Sequence, residues 1–158
     1  MGLRKILTDE ESALHKVCKP VTSFDKKLHK LLDDMVETLI DSGGVGLAAP
    51  QVGILKRIVV MDVDDGNQYV LINPEILETS GSQTGMEGCL SVPNKSGEVT
   101  RPNYVKVKAL KEKMEEFILE GEELLARCIL HECDHLDGHL YVEKVNGELC
   151  DVTNEDEE

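Results

Sequence analysis

Residues 131–135 read His-Glu-Cys-Asp-His. Histidines four apart stand one turn apart on the same face of a helix, so both imidazoles can reach one divalent ion. Glu132 is rotated about 100° from His131, placed to handle the protons of a water without ligating the ion itself. Two buried or surface histidines sharing a face would be the ordinary reading of a lone pair; the intervening glutamate favours a metal site. A third donor must come from elsewhere. A His-Glu-x-x-His-x-x-Gly-x-x-His segment would supply it locally, and Gly138 matches that pattern, but the last position is Tyr141. A glutamate ligand further on would have only 158 − 135 = 23 residues to come from. Five cysteines remain. Cys133 points away from the histidine face. Cys128 lies on that face one turn back, where a small buried hydrophobe is the usual role. Cys18 and Cys150 lack local context. Cys89 sits in Gly85-Met-Glu-Gly-Cys-Leu-Ser-Val-Pro93, where glycines let the backbone come close to a ligand. It is the best of the five.

These residues need elements to hold them. Apolar positions Leu28, Leu31, Leu32, Met35, Leu39 and Ile40 predict an amphipathic helix from Phe24 to about Asp41, stopped by Gly43-Gly44. A second helix runs from Glu122 to about Asp137, with acidic residues in its first turn and Gly138 at its end. Between them, Gly44–Gly53 reads as a small-residue loop that Pro50 keeps from being a helix. Strands are expected at Arg57–Val63 and Tyr69–Ile72 across an Asp64-Asp-Gly-Asn67 turn, then at Glu75–Ser80, Val99–Arg101, Val105–Leu110 and Glu116–Leu119. Gly147–Val152 could add a short edge strand. This order is α+β: short mixed or antiparallel strands packed around a late central helix carrying the His-Glu-x-x-His segment, with an N-terminal amphipathic helix.

Three segments, Gly44-Val-Gly-Leu-Ala-Ala-Pro-Gln51, Glu87-Gly-Cys-Leu-Ser91 and His131-Glu-Cys-Asp-His-Leu-Asp-Gly138, resemble in order the three motifs of the peptide deformylase family. The resemblance implies that Cys89, His131 and His135 bind a catalytic metal and that Glu132 is the acid/base. It implies an oxyanion hole from Gln51 and the Leu90 N–H, and backbone contacts from Val45 and Gly46 to an extended peptide. The substrate would be the N-formylmethionine end of a newly made polypeptide, and the product formate. One thiolate and two imidazoles accept Fe(II), Zn, Ni or Co; the resemblance favours Fe(II) in the cell. Leu124 and Cys128, at i−7 and i−3 from His131, share its helix face and are candidates, with Val45, for a methionine pocket; plain core packing would account for them equally. Ser96 stands where some members have an arginine. Two other readings compete: a short metallopeptidase cutting internal bonds, and a structural zinc module whose fourth ligand is Cys128 or Cys133.

Composition narrows the setting. The charge of −14 and 3% aromatic residues with no Trp argue against nucleic-acid binding. No apolar run approaches a membrane span. The chain start turns acidic before a secretory apolar region could form. An odd number of irregularly spaced cysteines fits a reducing cytosol, and with no transit peptide visible a bacterial-type cytosol is the simplest expectation. One domain is expected over residues 1–150, followed by a mobile acidic tail over 151–158, in a protein that is a monomer. His15, His29 and His139 are expected to be solvated.

Overall fold

A computed structural model describes residues 2–8 and 11–151. Helix α1 spans Lys26–Ser42; Asp25 caps it by accepting the Leu28 N–H at 2.8 Å, and Gly43 ends it in the left-handed region, φ 73°. Helix α2 spans Glu123–Leu136. Among the described residues eight strands complete the fold: β1 (Gly46–Ala48), β2 (Ile58–Met61), β3 (Tyr69–Ser80), β4 (Gln83–Cys89), β5 (Val92–Arg101), β6 (Tyr104–Leu110), β7 (Glu116–Glu122) and β8 (Cys150–Asp151). They form two antiparallel sheets, one ordered β1-β2-β3-β6-β7 and the other β4-β5-β8. The architecture is mixed α+β.

The larger sheet separates the two helices, and side-chain alternation explains how. On β2, Ile58 and Val60 point to α1 and pack with Leu28, Leu31, Leu32, Met35 and Leu39. Val59 and Met61 point the other way, to Ala126, Cys128, Ile129, Cys133 and Leu136 of α2, joined by Leu71, Val105, Val107 and Ala109. Arg57 closes the far end of α2: its guanidinium donates to the Leu136 carbonyl at 3.0 Å and pairs with Asp137. A cation there complements the helix dipole and satisfies a terminal carbonyl.

Several sequence expectations change. The pieces at Tyr69–Ile72 and Glu75–Ser80 are one strand, β3. Its register on β6 shifts between Ile72 and Glu75, where Asn73 takes φ 51°. The irregularity absorbs Asn73-Pro74 without ending the strand. The Val99–Arg101 piece is the end of ten-residue β5, and β4 was hidden by its glycines. The segment after Gly44 is not a plain loop: β1 is followed by a 3₁₀ turn at Ala49–Val52, which tolerates Pro50 near its start because an N-terminal N–H is unbonded there anyway. Of the acidic tail, residues 152–158 lie outside the described residues; Asp151 pairs with Lys95 of β5. His15, His29 and His139 are exposed. Among the described residues no helix is long and apolar enough to cross a membrane.

Candidate active site

Two bodies bring the predicted donors together. Helix α2 carries His131 and His135, both buried, and the end of β4 carries half-buried Cys89. One ligand atom from each of the three lies within 4.8 Å of the others, and Cys89 Sγ is 3.3 Å from His135 Nε2. A tetrahedral centre with metal–nitrogen and metal–sulfur bonds of about 2.1 and 2.3 Å has donor–donor edges of about 3.6 Å. The cluster therefore fits a divalent ion with only small adjustment. The remaining buried cysteines do not join it. Burial pushes the Cys133 thiol up to about 12 and the Cys18 thiol to about 11. Burial, with Glu132 close by, also holds Cys128 a thiol, and its Sγ turns to the Val45 carbonyl at 3.5 Å. A Cys/Cys/His/His module has no fourth ligand here among the described residues.

The charges around the imidazoles suit a cation. His131 Nδ1–H donates to Glu87 Oε1 at 2.9 Å, which leaves Nε2 for the ion. Burial opposes a charge on His131, yet Cys89 on one side and Glu87 on the other raise its pKa to about 10. An ion taken at Nε2 would therefore displace a proton there. Burial opposes ionisation of Glu87 too, but hydrogen bonds from His131 and Arg101 win and hold it at about 2. His135 is kept well below its ordinary value by burial first and then by the charges of His131 and Arg101, so it is a neutral imidazole. Burial pushes the Glu132 carboxyl up to about 7, against the nearby charge of His131. Its Oε2 stands 4.0 Å from His131 Nε2, and its Oε1 is buried with no hydrogen-bond partner among the described residues. A carboxyl poised near neutrality beside the donors can both accept and return a proton.

Gln51 and Leu90 flank Cys89. Gln51 is 1% exposed, its Oε1 fixed by the Ala48 N–H at 2.9 Å. Its Nε2 donates to Ser91 Oγ at 3.1 Å and, more loosely, to Cys89 Sγ at 3.5 Å. Leu90 is half-buried against Gly44, where an added Cβ would come within 2.9 Å of Leu90 Cδ1. A cavity of about 380 Å³ opens beside these groups; Val45, Gly46, Leu124, Cys128, His131 and Glu132 contribute to its wall. Gly46 is required there, since a Cβ would meet Glu132 Oε2 at 2.5 Å and Cys128 Sγ at 2.9 Å.

Strand β1 lies at the margin of its sheet, and its polar groups alternate in direction. Val45 accepts the Asp62 N–H at 2.8 Å, so its carbonyl faces β2. With Gly46 opposite Met61, the Gly46 N–H and C=O face the open side. Of the two predicted backbone contacts, Gly46 is the one presented to the cavity; Val45 offers a half-exposed side chain.

Sequence reasoning missed the ionic frame. Arg101 grips Glu87 through Nε at 2.5 Å and Nη2 at 2.9 Å and also reaches Asp134 at 3.0 Å. Arg127 reaches Glu87 Oε2 at 2.6 Å. The signal available was Arg127 at i−4 from His131, a charged residue on the face that must be buried.

A family profile for polypeptide deformylase matches residues 3–149. The chain is 64% identical over 156 residues to a peptide deformylase of Agathobacter rectalis, covering 99% of this chain and 98% of that one. It is 53% identical to peptide deformylase 1 of Bacillus subtilis, covering 92% of each. The crystal structure of peptide deformylase from Thermotoga maritima superposes with a TM-score of 0.90 at 41% identity, over 93% of this chain and all of that one.

Proposed function

The chain belongs to the polypeptide deformylase family and is a hydrolase that removes the formyl group from the N-terminus of newly made polypeptides; from that premise we propose how its residues divide the work. Cys89, His131 and His135 hold one divalent ion, Fe(II) in the cell, with Zn, Ni and Co accepted by the same donors. The chemistry such an ion supplies is Lewis-acid polarisation of a carbonyl and acidification of water. Glu132 takes a proton from the attacking water as its oxygen adds to the formyl carbon. Gln51 Nε2, whose bond to Cys89 Sγ is the looser of its two, and the Leu90 N–H receive the charge that develops on the formyl oxygen. Glu132 then delivers its proton to the departing amine, so formate and a free amino terminus leave. Val45, Leu124 and Cys128 line the methionine side chain's pocket, and Gly46 binds the peptide backbone. The setting is a bacterial-type cytosol, where a monomer with charge −14 meets nascent chains by diffusion without docking on RNA.

The observation that supports this division most is that three donors lie within 4.8 Å of one another and buried Glu132 stands beside them, its Oε2 4.0 Å from His131 Nε2. Formate release from formyl-Met-Ala-Ser under anaerobic conditions tests it. Fe(II)-loaded protein should release formate and lose activity in air, through oxidation of the iron and of Cys89, while Ni-loaded protein persists. Cleavage of an internal bond with no formate would favour the metallopeptidase reading.

A further inference from the structure

Arg127 has no part in the division of work above. It is 7% exposed on α2, and its guanidinium leaves the helix for the smaller sheet. Nε donates to Gln83 Oε1 at 3.2 Å, and Nη1 meets Glu87 Oε2 at 2.6 Å, the Val99 carbonyl at 3.1 Å and the Gly85 carbonyl at 3.4 Å. Nη2 is buried with no hydrogen-bond partner among the described residues. The absence of a side chain on Gly85 makes room for it, since a Cβ there would approach Nη2 to 3.3 Å. A buried guanidinium with one donor unused is costly. Stability alone does not account for an arginine at this place.

The metal donors explain it. Cys89 belongs to β4 and the two histidines to α2, and these elements share no β-ladder. The chain beyond α2 bridges to β5 at Val145–Val99 and through the Asn146 N–H to the Glu98 carbonyl, but at the donors themselves side chains hold the two halves in register. Glu87 divides its oxygens between them: Oε1 takes His131 and Arg101, while Oε2 lies between the Arg101 and Arg127 guanidiniums. Arg101 spends another donor on Asp134. Arg127 is the cation that runs from the ligand helix to both strands of the hairpin carrying Cys89. We propose that Arg127 is a positioning residue of the metal centre, clamping α2 to β4 and β5 so that Glu87 stays on His131 and Cys89 stays opposite both imidazoles. The inference rests on the ligand assignment above. The planar fork reaches Gln83 through Nε while Nη1 meets Glu87, a separation that a single ammonium cannot span.

Zinc affinity by chelator competition, and the sulfur-to-cobalt charge-transfer band of Co(II)-loaded protein, test this in the parent, Arg127→Met, Arg127→Lys and Cys89→Ala. Methionine keeps an unbranched stem against the cavity and removes every polar contact. Arg127→Met should bind zinc about 10–100-fold more weakly, the usual cost of losing an outer-shell partner, with a shifted cobalt band. Arg127→Lys should recover part of the affinity and remain several-fold weaker than the parent. Folded Arg127→Met with affinity within twofold of the parent and an unchanged band overturns the proposal, even if its thermal stability falls. If Arg127→Met does not fold, Arg127→Lys within twofold of the parent overturns it instead. Cys89→Ala separates the two readings. If it also keeps a tight ion, the ligand assignment falls; if it loses the ion while Arg127→Met keeps it, only the role of Arg127 falls.

Discussion

Helices α1 and α2 pack on opposite faces of one sheet and bury opposite chemistry. Toward the sheet α1 sends Leu28, Leu31, Leu32, Met35 and Leu39. Its one buried carboxylate, Asp34, is at the margin and is met by Arg4 at 2.9 Å and Lys30 at 3.0 Å. Helix α2 buries Arg127, His131, Glu132 and His135, and leaves polar atoms on three of these four without hydrogen-bond partners among the described residues. Burying charge that is incompletely paired costs several kcal/mol per ion. The α1 face is what a sheet needs in order to be covered. The α2 face is worse than that need requires, and the excess cost marks it as the side where chemistry is done.

The largest break in this comparison should come from the donors. Replacing Cys89, His131 or His135 with Ala should abolish tight metal binding and with it formate release, because two remaining ligands seldom hold a catalytic ion. Cys128→Ala should keep one ion per chain by elemental analysis; the reverse pattern would move the third ligand to Cys128. Next is Glu132→Ala, which should retain the ion yet lose on the order of 10²–10⁴ in kcat. Near-normal turnover in the fully metallated variant would remove Glu132 from the mechanism.

On the α1 face the same truncation should act on stability and leave turnover alone. Met35, fully buried, should cost about 2–5 kcal/mol on replacement by Ala, read by urea unfolding, with kcat of the folded protein unchanged. A comparable loss in kcat would mean that the two faces communicate. The smallest effect concerns Asp34. Burial raises its pKa, but Lys30 and Arg4 outweigh that and lower it overall. The stability it contributes is present above its unfolded value near pH 4 and is lost as pH falls through the lower folded value. Arg4→Ala should therefore cost at most about 1 kcal/mol at neutral pH, a difference that shrinks on acidification. A gap that widened toward low pH would assign the effect to packing of the Arg4 stem.

What the sequence makes legible follows from how local each signal is. The apolar period of Leu28 to Leu39 needs no knowledge of the rest of the chain, and α1 begins and ends within two residues of its expected limits. The spacing of His131 and His135 on a helix is equally local. Cys89 emerged by elimination among five cysteines and through a motif. β4 did not, because Gly85 and Gly88 interrupt any strand pattern when the partner β5 is unknown. β3 was split because Asn73-Pro74 looks like a break until the bulge against β6 is seen. The ionic frame of Glu87, Arg101 and Arg127 joins residues up to 40 apart in the chain, and nothing local reports such a contact.

The open side of β1 has a consequence for generality. A catalyst serving every freshly started chain cannot rely on any residue after the first, since those differ from one protein to the next. Gly46 presents a main-chain N–H and C=O, and beyond the first residue main chain is what all its clients have in common. Under the role proposed for Gly46, recognition through that rim would cost nothing in sequence tolerance. An unpaired strand elsewhere on the surface would invite neighbours to stick. Here Leu124, Met86 and Leu90 line the same cavity as Gly46, and a peptide taken up there would cover the open strand.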